Sequence, residues 1–309
     1  MLRRLNIGRV LLVLVPFLTI GPAAQAVVTY NRVFVATGGN DAGVCANPVT
    51  PCSTFAGAMA QVQPEGEVIV VTSGGFGAIN ITQSVTISAA PGIVAFTGYT
   101  ANVNAAGATV VLRGLTIDGA GTTGNGINVT AVAVLRVESC VITGFVPDGV
   151  GANGHGLTFN SPGQLFVKDA LIRGNANVGI SVGPTSGIAQ ATVDHCRLEQ
   201  NHWGLISGGS TGTARTTIRS SVASGNANHG LYALGGGELN AEGCLVANNG
   251  VGLVSIGTGS TLRASNCTVT DNITGLEANL GGSLLSRSNN TVEGNTFDDG
   301  SFTGTYSAK

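Results

Sequence analysis

From about residue 165 the chain repeats one order of apolar and polar positions. Each copy runs apolar-x-apolar, two polar residues, small-x-apolar, two more residues, Asn, a short gap, then Gly and an apolar residue. The copies read LFVKDALIRGNANVGISV, ATVDHCRLEQNHWGLIS, TTIRSSVASGNANHGLYA, LNAEGCLVANNGVGLVS and LRASNCTVTDNITGLEA, and a degenerate LSRSNNTVEGN begins at Leu285. Successive copies lie 23 to 26 residues apart, and looser ones begin at Val111 and Leu135, the second lengthened by an insertion over 146–153. Apolar alternation with period two marks strands that bury one face. A coil of three such short strands cannot bury that face alone, so neighbouring coils must stack. The pattern therefore predicts an all-β solenoid, with three short strands per coil, over residues 76–297.

The asparagine position is the most regular feature of the repeat. Asn175, Asn201, Asn226, Asn249, Asn272 and Asn295 each fall five residues after the small position of their coil. Coils stacked at the roughly 4.8 Å spacing of paired strands would align these amides in one column, each donating to the next carboxamide oxygen. Asn also tolerates the left-handed backbone that a sharp bend between strands requires, and such a bend is expected here. Six unrelated surface turns would not share one offset.

The small position holds Cys140, Ala170, Cys196, Ser221, Cys244, Cys267 and Asn290, which predicts an inward stack of small side chains. Buried free cysteine packs as a small hydrophobe, a role favoured here over metal or redox chemistry. Cys244 and Cys267 fall in adjacent coils, and their bridging is left open. A further position, expected to face outward, carries Glu138, Lys168, Asp194, Arg219 and Glu242, alternating in sign at every step. Opposite charges one rung apart help hold the register, at about 0 to 1 kcal/mol per exposed pair.

The ends depart from the repeat. Arg3, Arg4 and Arg9, an apolar run over 10–20 and the small-residue site Ala24-Gln25-Ala26 form the pattern of a secretory signal, with cleavage expected after Ala26. Pro16 and the shortness of the run argue against a retained anchor, since a span needs about 20 apolar residues. The prediction is a secreted protein, extracellular or periplasmic, with no membrane span after cleavage. Residues 27–75 read as an N-terminal cap containing a strand over 33–36, a loop, and a short amphipathic helix over 54–62. Ser53 would cap the helix, Pro64 would stop it, and Phe55, Met59 and Val62 would lie on one face covering the first coil's open edge. Cys45 and Cys52 flank the loop, and in an exported chain a disulfide is favoured over a metal site, which needs more ligands. Glu67 would then open the solenoid proper, and the tail 298–309 would cover its last coil.

Composition agrees with an all-β repeat. The chain has 48 glycines and 10% charged residues, against about 25% in ordinary domains. Recurrent Val, Ile, Leu and Thr set it apart from a disordered Gly-rich chain. Of 14 basic residues three lie ahead of Ala26, leaving 11 against 16 acidic ones, a formal −5. That excess is mild and scattered, so nucleic acid is not an expected partner.

With the Asn column, coil length and helical cap assembled, the chain resembles the right-handed parallel β-helix superfamily, the pectin-lyase-like fold. Its opening VFVATGGND with PCSTFAGAM resembles secreted bacterial β-helix repeat proteins. That superfamily includes pectate lyases, polygalacturonases, alginate epimerases and phage tailspikes, so the resemblance implies a polysaccharide partner. It does not imply turnover, because one fold hosts many functions.

Two candidate sites emerge. Gly154-His155-Gly156 is similar to the G-H-G motif of polygalacturonases, with Asp148 in the same inserted loop, but the N-T-D and R-I-K motifs are missing. The one Asp-Asp pair, Asp298-Asp299, follows the histidine instead of preceding it. Hydrolysis requires two carboxylates flanking the scissile bond. Asp194, Arg197 and Glu199, with Arg173 and Arg219 in neighbouring coils, form the densest charged cluster, where a lyase would need clustered carboxylates for Ca2+ and an arginine base. No cofactor or metal is otherwise expected, and the four histidines lack ligand spacing. After the repeated Gly, an outward ladder of Asn128, Thr158, Ser181, Ile206, Tyr232, Val254 and Glu277 offers one aromatic; Trp203, just before its Gly, is expected to pack over the next coil. Taken together, the residues favour a non-catalytic glycan-binding or structural module. A polysaccharide lyase, glycoside hydrolase or epimerase is the alternative.

Overall fold

The computed structural model describes residues 29–149, 153–209 and 211–307. The expected signal and its cleavage site at Ala26 lie outside them. No helix among the described residues is long and apolar enough to cross a membrane.

The chain winds as a right-handed parallel β-helix. A 10-stranded sheet contains the short middle strand of each coil, and a 19-stranded sheet holds the first and third strands. All strand pairings are parallel, because each coil returns to the same edge one rung on. First strands such as Gly163–Lys168, Ile188–Asp194, Thr213–Arg219 and Glu238–Glu242 stack without register shifts. Inward positions alternate as the sequence predicts: Leu165, Val167, Ala191, Val193, Ala214 and Ile218 are all buried. Each buried Leu, Ile or Val side chain contributes roughly 1.5 to 3 kcal/mol relative to exposure. The small-position column, from Cys140 to Cys267, is buried throughout. Cys140, Cys196, Cys244 and Cys267 are free thiols, and burial pushes those of Cys140 and Cys196 up to about 11.

The asparagines form a continuous column. Asn175 Nδ2 donates to Asn201 Oδ1 at 3.0 Å, and the series continues through Asn226, Asn249 and Asn272 to Asn295 at 3.4, 2.8, 2.9 and 2.9 Å. Each acceptor oxygen also receives the backbone N–H of the preceding asparagine. The column ends on Asp299, whose Oδ1 accepts from Asn295 Nδ2 at 2.8 Å. The expectation of left-handed asparagines is corrected. It is the residue before each one that turns left-handed: Gly174, Gln200, Gly225, Asn248, Asp271 and Gly294, with φ between 55° and 72°. This leaves the asparagine free to aim its amide inward along the stack. A second left-handed corner, at Ser139, Asp169, His195, Ser220, Gly243 and Asn266, precedes the small position.

The column also explains the repeated glycine. A Cβ on Gly179, Gly204 or Gly252 would stand 3.0 to 3.1 Å from the Nδ2 of Asn201, Asn226 or Asn272 and against the carbonyl of the next coil's glycine. Only a residue without a side chain fits beside the ladder.

The N-terminal region differs from its expected form. Strand Tyr30–Val35 already pairs in parallel with Val62–Val70, so the stack begins there and not at Glu67. The helix is a single short segment, Phe55–Met59, capped by Thr54 and not Ser53: Thr54 Oγ1 accepts from Gly57 N at 2.9 Å. Asp41 selects that cap by accepting from the Ser53 and Thr54 amides and the Thr54 hydroxyl. Val62 has left the helix for a strand, and Pro64 lies in that strand beside left-handed Glu65, where the register with Tyr30–Val35 is interrupted. The free edge of the first strand is met by the loop. Phe34 N donates to Cys45 O at 2.9 Å, and Cys52 N donates to Phe34 O at 2.8 Å. Cys45 and Cys52 are joined by a disulfide. At the other end, Gly304–Thr305 adds one more parallel rung beside Ser283–Ser286.

Candidate functional site

The alternation that buries Leu165 and Val167 turns Gln164, Phe166 and Lys168 outward, and register repeats this in every coil. Three columns follow on the outer face of the first strands. Gln164, Gln190, Arg215 and Glu238 form one; Phe166, Thr192, Thr217, Asn240 and Arg263 form the second. Between them lies a shallow depression of about 310 Å3, lined by amides, hydroxyls, Arg215 and Glu238. Glu238 stands between two guanidiniums, 3.7 Å from Arg215 and 3.8 Å from Arg263. Arg263 also donates to Asn240 Oδ1 at 3.4 Å. Toward the N-terminal end of the stack, Arg136, one rung before Phe166, holds its guanidinium 4.5 Å from the centroid of the Phe166 ring. The sequence reading missed this face. Its signal is the polar residue directly before the first apolar position of each repeat: Gln164, Gln190, Arg215 and Glu238.

The third column carries the alternating charges, of which Asp194 and Arg219 pair with each other. Arg219 Nε and Nη2 hold the two oxygens of Asp194 at 3.0 and 2.9 Å, and His195 Nδ1 lies 2.8 Å from Oδ1. Asp194 keeps its outward register but is only 7% exposed, because Arg219 and His195 cover it. The Arg219 guanidinium, helped by His195 and opposed by burial, holds the Asp194 carboxyl below its usual range.

The expected Asp194, Arg197 and Glu199 cluster divides at left-handed His195. Asp194 closes one strand; Arg197 and Glu199 sit on the short strand beyond the bend, where Arg197 Nε donates to Glu199 Oε1 at 2.7 Å. Their charges are thus spent in two separate ion pairs. In the inserted loop, Asp148 accepts from Asn153 Nδ2 at 2.9 Å. His155 is held by Asn125 Oδ1 on its backbone amide and lies 3.5 Å from Asn177 Nδ2 at its ring. Among the described residues, no three His, Cys, Asp or Glu side chains are grouped to hold a metal ion.

The ladder after the repeated Gly is in register from Asn128 to Glu277. It starts earlier than the repeat revealed, at Asn80 and Asn102, whose side chains are bonded at 3.1 Å. Val254 is fully buried, and Tyr232 packs edge-on against His229. Trp203 stands edge-on to its own neighbour His202, with centroids 4.1 Å apart.

Residues 125–297 match a family model described as "Right handed beta helix region". Among solved structures, the chain is similar to the crystal structure of pectate lyase Pel9A, with TM-score 0.56 and 14% identity over 84% of this chain and 69% of that one. It also matches the A-module of Azotobacter vinelandii mannuronan C-5 epimerase AlgE4, with TM-score 0.42 and 10% identity over 79% and 91% of the two chains. A rhamnogalacturonan lyase matches with TM-score 0.41 and 10% identity, over 76% and 82%. No curated protein sequence matches.

Proposed function

Because the chain belongs to the family of right-handed β-helix regions, we propose that it is a secreted module that binds acidic polysaccharide along the outer face of its first strands, without turnover. The single observation that supports this most is the make-up of that face. Amides and hydroxyls repeat at the rung spacing, Arg215 and Arg263 flank Glu238, and Arg136 lies over Phe166. Guanidiniums recognise carboxylates through paired charge-assisted bonds, and amides fork to sugar hydroxyls. Glu238, the one carboxylate lining the depression, lies between two arginines, an arrangement that favours binding over acid/base work.

The test incubates the protein with pectins, alginates and bacterial exopolysaccharides, with and without calcium, while binding, chain length and unsaturated ends are followed. The expected outcome is binding without product, weakened about tenfold or more by Arg215→Ala with Arg263→Ala, since hydrogen bonds to charged groups are worth about 1.5 to 3 kcal/mol. Turnover abolished by alanine at Asp148, His155, Asp194, Arg197 or Glu199 would instead establish the lyase, hydrolase or epimerase alternative.

A further inference from the structure

Ahead of Asn175, the corner that later carries the ladder is built differently. Short strands Gly74–Gly75, Ala95–Thr97 and Leu115–Asp118 lead into Phe76-Gly77, Gly98-Tyr99 and Gly119-Ala120. Two adjoining depressions, of about 520 and 420 Å3, open along this corner and share Gly98, Tyr99 and Thr122. The floor of the larger one is aromatic, and Tyr99 lines both. Phe76 is buried, and the Phe96 ring occupies the space that Gly75 and Gly98 leave, since a Cβ on either would stand 3.2 or 3.6 Å from it. Tyr99 is 62% exposed.

The polar groups of the corner are only partly used by the protein. Asp118 Oδ1 accepts from Ala120 N at 2.9 Å, while its Oδ2 has no partner among the described residues. Asn102 Nδ2 donates to Asn80 Oδ1, leaving the Asn80 amino group and the Asn102 oxygen open toward the second depression. Neither depression is lined by Lys, Arg or His, and Asp118 is the one charged residue on their walls. An anionic sugar would meet a carboxylate with no cation to offset it. A neutral sugar ring, by contrast, has an apolar face for a tyrosine and hydroxyls for a carboxylate and amides, the mixture of aromatic wall and few polar groups that small-ligand sites share.

We propose that this corner is a binding site for a neutral saccharide, stacked on Tyr99 and hydrogen-bonded through Asp118 Oδ2, the Asn80 and Asn102 amides and Thr122. It is separate from the arginine-bearing face both along the stack and around the coil, and it does not depend on the acidic-polysaccharide reading. One site for an acidic glycan and one for a neutral glycan would let a single solenoid join two kinds of glycan.

The test titrates the protein with cellohexaose, laminarihexaose and chitohexaose by calorimetry, with saturation-transfer NMR to identify the bound face. At least one is expected to bind. Loss of a central aromatic contact should weaken it about tenfold or more in Tyr99→Ala, with Tyr99→Phe within about threefold of wild type. Asp118→Asn should also weaken it, and Arg215→Ala should leave it unchanged. Failure of all three sugars to bind at millimolar concentration overturns the proposal. So does binding that survives both Tyr99→Ala and Asp118→Asn, or that is lost equally in Arg215→Ala. Circular dichroism of each variant confirms that the exposed substitutions leave the coil stack folded.

Discussion

Asn226→Ala removes a side chain from the middle of the carboxamide column. Asn226 is 1% exposed, and its amino group donates to Asn249 Oδ1 at 2.8 Å and to Leu198 O at 3.1 Å. Its oxygen accepts from Asn201 Nδ2 at 3.4 Å and from Asn201 N at 3.1 Å. Four hydrogen bonds are therefore lost together, and at about 1 kcal/mol net for each the substitution costs about 4 kcal/mol. Asn295→Ala is the internal control. Asn295 is half-buried and ends the column on exposed Asp299, so water can replace much of what is lost, and about 1 to 2 kcal/mol is expected. Urea denaturation followed by far-UV circular dichroism measures both, with hydrogen exchange of the Asn201 and Asn226 amides as a local probe. A loss below about 1 kcal/mol at Asn226, or equal losses at the two positions, would refute the reasoning that buried amides hold these coils together.

Gly204→Ala places a Cβ 3.1 Å from Asn226 Nδ2 and against the Gly230 carbonyl, so overpacking of about 1 to 3 kcal/mol should lower the urea midpoint. Asp194 carries a depressed carboxyl pKa in the folded state, so its contribution is complete above the ordinary value of 3.8 and is lost as pH falls through the lower folded value. Asp194→Asn should accordingly be less stable than wild type at neutral pH and flatter in acid, in denaturation midpoints measured across that window. Opening the Cys45–Cys52 bridge by a double serine substitution removes a short-loop constraint of about 2 to 3 kcal/mol and loosens the cover on the first strand's edge. The midpoint should fall, and light scattering should show association that the bridged protein lacks.

What was legible in the sequence was whatever repeats. The asparagine offset predicted the column because one residue type at one spacing has a single geometric solution in a stacked coil. Alternation placed Leu165 and Val167 inside for the same reason. The left-handed corner was placed one residue late because Asn is common in that conformation, while the positions that adopt it mix Gly174, Gly225 and Gly294 with Gln200, Asn248 and Asp271. The first rung was hidden because strand Tyr30–Val35 is separated from its partner by the disulfide loop and helix, so no period marks it. The charged cluster is divided for a directional reason: Asp194 and Arg197 are close in sequence, but the bend at left-handed His195 turns them onto different strands. The outer face of the first strands was overlooked because Gln164, Gln190, Arg215 and Glu238 differ in type and become one surface only through register.

The proposal of a binding face on the first strands is tested most directly by affinity electrophoresis through gels containing polygalacturonate. Wild-type protein should be retarded in proportion to the polymer, Arg215→Ala with Arg263→Ala should run as in a blank gel, and the polymer should remain at full length. Equal mobility of the two proteins, or shortening of the polymer in the wild-type lane, would contradict the account.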